Sequence, residues 1–161
     1  MSNGYHQNMR ELQRRFGTEA LANVLAERNR RAVFSQEDRA FIASLGFFFL
    51  ATSDADGKPD CSHKGGAPGY VAVTGPNSLS FPTLDGNGMY RSLGNILANA
   101  QVGLLFIDMV SPRRLRVNGR AELRFDDPRQ AEIPGAEAMV HVSDVAIFTN
   151  CPRYIHLGDG V

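Results

Sequence analysis

Apolar positions change their rhythm once along this chain, near residue 46. Before that point Met9, Leu12 and Phe16 recur at spacings of three and four, and Leu21, Val24 and Leu25 repeat the pattern after Gly17, with Thr18 placed to cap a second segment. Ser35 followed by Asp38 reads as a capping box that uses the shorter acid, opening a helix that carries Ala40, Phe41 and Leu45. Residues 1–45 are therefore predicted to be amphipathic helices that pack on the main body or on a partner subunit. From Gly46 the period shortens. Phe47 to Ala51 is a continuous apolar run, predicted to be a strand buried on both faces, and it ends in the turn-forming series Asp54-Ala55-Asp56-Gly57. Further strands are predicted at 59–64, 70–75, 78–84, 102–109 and 114–124. In the last of these Leu115, Val117, Gly119, Ala121 and Leu123 face one way, and Arg114, Arg116, Asn118, Arg120, Glu122 and Arg124 the other. Another strand near 139–148 follows an irregular stretch around Pro128 to Pro134, and a short helix over 88–99 carries Met89, Leu93, Ile96 and Leu97. Short strands at this spacing with one inserted helix point to a mainly β, antiparallel barrel flanked by N-terminal helices.

At 161 residues, with 43% hydrophobic positions, the chain is sized for one domain with its own core. No apolar run approaches the roughly 18 residues of a membrane span, and no signal-like stretch lies near the N-terminus. Lys and Arg number 17, as do Asp and Glu, so the formal net charge of zero excludes the electrostatic footprint of a nucleic-acid or acidic-membrane binder. Any phosphate must be caught locally. Lys58 and Lys64 are the two lysines, which leaves the other cations as arginines, an excess that GC-rich coding would also produce. Cys61 and Cys151 are the two cysteines. Their spacing leaves a disulfide open without requiring one, and the expectation is a soluble protein of a reducing, cytoplasmic compartment.

Eight of the 16 glycines fall between Gly57 and Gly94, concentrated in two segments. Cys61-Ser62-His63-Lys64-Gly65-Gly66 is a strand end running into a flexible loop with a cation. Asp85-Gly86-Asn87-Gly88-Met89-Tyr90-Arg91-Ser92 is a turn that opens the short helix, and Arg91 and Ser92 in a first helical turn suit an anion. Glycine-rich turns in all-β proteins are otherwise simply turns. Neither segment matches a P-loop or a dinucleotide-binding fingerprint. Cys61, His63, Cys151 and His156 match no standard zinc spacing, so no metal is expected. A nucleophilic pair of Cys61 and His63 would require a bent strand, and His141 reads as a structural or surface histidine.

The order of these features resembles one family over about residues 40–125. The apolar strand 47–52, the D-x-D-G-K-P turn, S-H-K-G-G, Leu79-Ser80-Phe81-Pro82, D-G-N-G, Y-R-S-L-G-N-I-L-A-N, V-G-L-L-F-I-D and R-R-L-R-V-N-G-R-A-E together resemble the pyridoxamine 5'-phosphate oxidase-like, FMN-binding split-barrel proteins. The resemblance implies a six-stranded antiparallel split β-barrel over 46–161, with 1–45 packed on it, and FMN at a homodimer interface. It implies that Ser62, His63, Lys64 and Gly65 run along the flavin and its ribityl chain and that Pro82 and Thr83 contact the chain or ring. Arg91 and Ser92 would hold the phosphate, with Asn95 completing the cradle and Arg114 approaching the flavin from either subunit. The lysine that pyridoxal-phosphate-forming enzymes use for substrate phosphate corresponds to about Ala67, and the chain contains no Trp, whereas those enzymes close their site with a Trp-containing segment. The C-terminal Asn150 to His156 instead resembles smaller flavin-nucleotide-binding relatives. The expectation is an FMN-dependent oxidoreductase acting on a small molecule, with NAD(P)H among the candidate electron donors and no catalytic side chain assigned. The alternatives are a non-catalytic flavin carrier or sensor, and a split barrel that binds a deazaflavin or haem, for which His63, His141 or His156 would serve as axial ligand.

Overall fold

A computed structural model describes residues 4–84, 86–111 and 113–149. Helices α1 (Gln7–Arg15) and α2 (Glu19–Asn29) come first, then a two-residue strand β1 (Arg30–Arg31) and helix α3 (Gln36–Ser44). Strands β2 (Phe47–Ser53) and β3 (Pro59–Gly65) form a hairpin, followed by β4 (Leu79–Leu84), helix α4 (Arg91–Ala98), β5 (Gln101–Ile107), β6 (Arg114–Arg124), a 3₁₀ turn at Pro128–Glu132 and β7 (Ala136–Thr149).

All described strand pairings are antiparallel, in the order β1-β7-β6-β5-β2-β3, with β4 also paired to β7. This is a mainly β, split-barrel sheet in which β3 and β4 are edge strands. The alternation of β6 buries Leu115, Val117, Gly119 and Ala121 as expected.

Three expectations need correction. The segment 70–75 forms no strand and makes one bridge, Ala72 to Ser80, because Pro68-Gly69 and Gly75-Pro76 confine it to a narrow turn closed by Thr74 N–H donating to the Ser78 carbonyl at 3.0 Å. Strand β2 is buried on one face only. Phe48, Leu50 and Thr52 point into the core, whereas Phe47 and Phe49 are half-buried on the other face beside His63. The amphipathic α1 buries none of its residues, and Leu12 and Phe16 remain exposed among the described residues.

Helix α3 does join the barrel. Its start is the expected capping box: Asp38 N–H donates to Ser35 Oγ at 3.1 Å and Ser35 N–H to Asp38 Oδ2 at 2.9 Å. Arg31 makes a two-pronged pair with the same carboxylate, Nη2 to Oδ1 at 3.0 Å and Nη1 to Oδ2. Burial raises the Asp38 pKa, but the Arg31 and Ser35 hydrogen bonds outweigh it and hold the carboxyl below its ordinary range. Thus anchored, α3 places Phe41 and Ile42 in one core with Phe34, Phe48, Phe81 and Phe106. Phe48 meets Phe81 at 4.9 Å between centroids in an edge-on arrangement and Phe106 at 5.3 Å. Residues 1–45 therefore supply part of this core as well as the helices outside it.

Candidate functional site

Edge strands β3 and β4 do not pair among the described residues, and the gap between them is a cavity of about 440 Å³ bridged by the start of α4. Its position follows from strand alternation. On β3 the half-buried residues are Asp60, Ser62 and Lys64, and the exposed ones are Cys61, His63 and Gly65. His63 stacks on Phe47 at 5.3 Å, on the strand face opposite Ser62 and Lys64. His63 still borders the cavity, but from a different side of the strand.

Helix α4 starts abruptly. Gly88 (φ 72°) and Tyr90 (φ 49°) are both left-handed, a conformation that is costly for Tyr and marks a backbone held by its surroundings. Tyr90 Oη donates to Glu137 Oε1 at 2.9 Å, tying this turn to β7. The predicted helix over 88–99 begins at Arg91 because residues 86–90 are spent on that reversal. The N-cap residue of α4, Tyr90, makes no side-chain cap bond, and the helix start borders the cavity through Arg91 and Ser92. Ser92 is 5% exposed and its hydroxyl lies 3.0 Å from that of Ser62, joining α4 to β3. Arg91 Nε donates to Asp60 Oδ1 at 3.3 Å. Burial pushes the Lys64 ammonium pKa down, partly offset by Asp60. Tyr70 Oη donates to the Lys64 carbonyl at 2.6 Å, and burial pushes its phenol pKa up. The Tyr70 ring fits only because residue 66 lacks a side chain: a Cβ on Gly66 would sit 2.7 Å from it.

On the opposite wall, Pro82 and Thr83 of β4 line the cavity. Thr83 Oγ1 is buried and has no hydrogen-bond partner among the described residues. A buried hydroxyl without a partner costs about 1–3 kcal/mol, and this one belongs to a residue of the cavity wall.

The cavity brings together eight residues expected from the sequence: Ser62, His63, Lys64, Gly65, Pro82, Thr83, Arg91 and Ser92. Two others lie elsewhere. Asn95 Nδ2 donates to Thr52 Oγ1 at 3.0 Å and, with Asn99 Nδ2 donating to Ser53 Oγ at 2.8 Å, straps α4 to β2. Arg114 begins β6 opposite Ile107, does not line the cavity, and buries its Nε without a partner among the described residues. Sequence reading missed Asp60, Tyr90 and Glu137. The alternation of β3 puts Asp60 on the Ser62 face and could have revealed it, but Glu137 arrives from a distant strand with no local signal. Asp85, Cys151 and His156 lie outside the described residues. Among the described residues no three His, Cys, Asp or Glu side chains converge as a metal set, and no helix is long and apolar enough to cross a membrane.

The sequence model of the pyridoxamine 5'-phosphate oxidase family matches residues 34–150. This chain belongs to that family. The pyridoxamine 5'-phosphate oxidase match takes in α3 and every described strand except β1, so both cavity walls and α4 lie inside it, whereas α1 and α2 lie outside. Solved structures share the fold. HupZ from Group A Streptococcus is 21% identical with a TM-score of 0.57, the match covering 72% of this chain and 93% of HupZ. A candidate pyridoxamine 5'-phosphate oxidase from Lactobacillus delbrueckii is 23% identical with a TM-score of 0.58, covering 74% of this chain and 98% of that one. General Stress Protein 26 from Bacillus anthracis is 14% identical with a TM-score of 0.52, covering 73% and 94%. No curated protein sequence matches the chain.

Proposed function

We propose that this protein binds FMN in the cavity between β3 and β4 and acts as a flavin-dependent oxidoreductase on a small molecule, as a homodimer whose second copy completes the site. The observation that carries the reading is the start of α4, which opens on that cavity with Arg91, Ser92 and Ser62 around it. A phosphate monoester carries about two negative charges and accepts hydrogen bonds on three oxygens. A helix N-terminus, two hydroxyls and a guanidinium match those needs without high net charge.

The residues present fit the cofactor. A cavity of about 440 Å³ lies within the roughly 300–1,000 Å³ of small-molecule sites. Arg91, Ser92 and Ser62 would hold the phosphate, and Lys64, half-buried nearby, would add a donor. The unpartnered Thr83 hydroxyl would take a polar group of the ring or chain, and Pro82 would pack on the apolar part. When bound, the flavin supplies two-electron transfer, and the chain supplies position, hydrogen bonds and exclusion of water. Tyr90 and Glu137, hydrogen-bonded to each other, also line the cavity.

Of the histidines that could serve haem, His156 lies outside the described residues. His63 is engaged with Phe47 and Phe49, and His141 sits on β7 opposite Glu122 and Ser80. A flavin carrier would share this cavity and differs only in lacking turnover. Purified protein is therefore expected to be yellow and to bleach with NAD(P)H or another two-electron donor; yellow protein inert to donors and oxidants is the carrier. Arg91→Ala is expected to weaken FMN binding about tenfold or more and leave riboflavin binding unchanged, as measured by flavin fluorescence quenching. Equal weakening of both ligands, or failure of the wild-type chain to take up FMN, would overturn the assignment.

A further inference from the structure

Two rungs join β3 to the start of α4. The hydroxyls of Ser62 and Ser92 lie 3.0 Å apart, and two residues earlier on the same strand face Asp60 Oδ1 accepts from Arg91 Nε at 3.3 Å. The backbone that carries Arg91 is held by other contacts: Tyr90 Oη donates to Glu137 on β7, and Asn95 and Asn99 strap the helix to β2. What those contacts leave unset is the Arg91 side chain, 66% exposed on a long, rotamer-rich stem. Asp60 is the fixed member of the pair. Its side chain is short and 20% exposed, and its backbone faces Thr52 inside the β2–β3 hairpin.

The bond uses Nε alone. Nη1 and Nη2 make no hydrogen bond among the described residues, so the outer end of the guanidinium keeps its donors while Asp60 holds the inner one. A carboxylate lining a cavity proposed to hold a phosphate repels that ligand directly, so Asp60 favours binding only through its effect on neighbouring cations. Two such effects are visible. One is the bond to Arg91, which needs an acceptor atom. The other is on Lys64, whose ammonium pKa is pushed down by burial and raised again by the Asp60 charge, an effect that needs a negative charge. Asparagine in place of Asp60 keeps the acceptor and removes the charge, which separates them.

We infer that Asp60 is a positioning residue, which by holding Arg91 Nε pre-sets the guanidinium so that Nη1 and Nη2 meet the phosphate of FMN. The inference rests on the FMN site proposed above. Its test is titration of FMN and riboflavin, by flavin fluorescence quenching, into the full chain and its Asp60→Ala, Asp60→Asn, Arg91→Ala and Asp60→Ala with Arg91→Ala variants. Asp60→Ala is expected to weaken FMN binding about fivefold and leave riboflavin binding unchanged, whereas Asp60→Asn binds FMN within about twofold of wild type or more tightly. Because Asp60 acts through Arg91, adding Asp60→Ala to Arg91→Ala is expected to cost no further FMN affinity. The inference is overturned by Asp60→Asn as weak as Asp60→Ala, which would make the charge felt by Lys64 the cause. It is equally overturned by a further loss in the double variant, by undiminished FMN affinity in Asp60→Ala, or by loss of riboflavin binding there, which would make Asp60 structural. Failure of the FMN site itself reads differently: the wild-type chain would take up no FMN, or Arg91→Ala would weaken both ligands alike, and the inference would fall with the site.

Discussion

Thr83 is the residue whose chemistry is least explained by the fold alone. Its hydroxyl is buried at the cavity wall and unpartnered among the described residues, so folding gains nothing from it there. Replacement by Val, nearly the same shape, removes the unmet oxygen. Thr83→Val is therefore expected to raise the stability of the flavin-free protein by up to about 1 kcal/mol in urea unfolding while weakening flavin binding several-fold. Opposite signs for stability and binding separate a ligand-directed hydroxyl from a structural one; a loss of both would make Thr83 structural. Arg91 is its counterpart among the charged groups. At 66% side-chain exposure its pairing with Asp60 contributes little to stability, so the Arg91→Ala comparison of FMN with riboflavin reads ligand contact rather than folding. Both residues stood out differently in the sequence: Arg91 by its place in a first helical turn, Thr83 only by following Pro82 in a family-like strand.

Among the elements, α3 and α4 show how short helices are held. α3 depends on Asp38, which serves the capping box and the Arg31 pair together. Because its folded pKa is depressed, the carboxylate contributes stability that is complete above its ordinary value of 3.8 and is lost as pH falls through the lower folded value. Asp38→Asn is accordingly expected to cost about 1–2 kcal/mol near neutral pH, with the gap to wild type closing in acid as the native carboxyl is protonated. Thermal unfolding at several pH values measures this, and a gap that persists in acid would assign the loss to packing. The box was readable because capping is local, involving positions three apart. The partner Arg31 was not readable, since β1 exists only through pairing with β7. Likewise α4 was visible from its apolar spacing, but its first residue was set by the left-handed turn at Tyr90 and by Asn95 and Asn99 binding β2.

For the whole molecule, the chain leaves two features open to a second copy. Leu12 on α1 and Phe16 just beyond it are exposed, and Arg114 buries an Nε that nothing among the described residues satisfies. Under the shared-site proposal the FMN-loaded protein is expected to sediment as a dimer, and a stable FMN-loaded monomer would remove the second subunit from the site. Zero net charge at this scale leaves the capture of a small anion to local groups such as Arg91 with Ser92 and Ser62. By itself the sequence determined what is periodic or local, namely the alternation of β6, the capped start of α3, the β2–β3 hairpin and the ordered motifs shared with the pyridoxamine 5'-phosphate oxidase family. Tertiary structure alone decided which edges stay unpaired, and with them where the cavity lies. It brought Glu137 across to Tyr90, made Asn95 a strap rather than part of the cradle, and dissolved the expected strand at 70–75. The division has a physical cause. Backbone periodicity and capping act within a few residues, whereas cavities, unpaired hydrogen-bonding groups and charge clusters arise between strands far apart in the chain, whose register depends on the whole core.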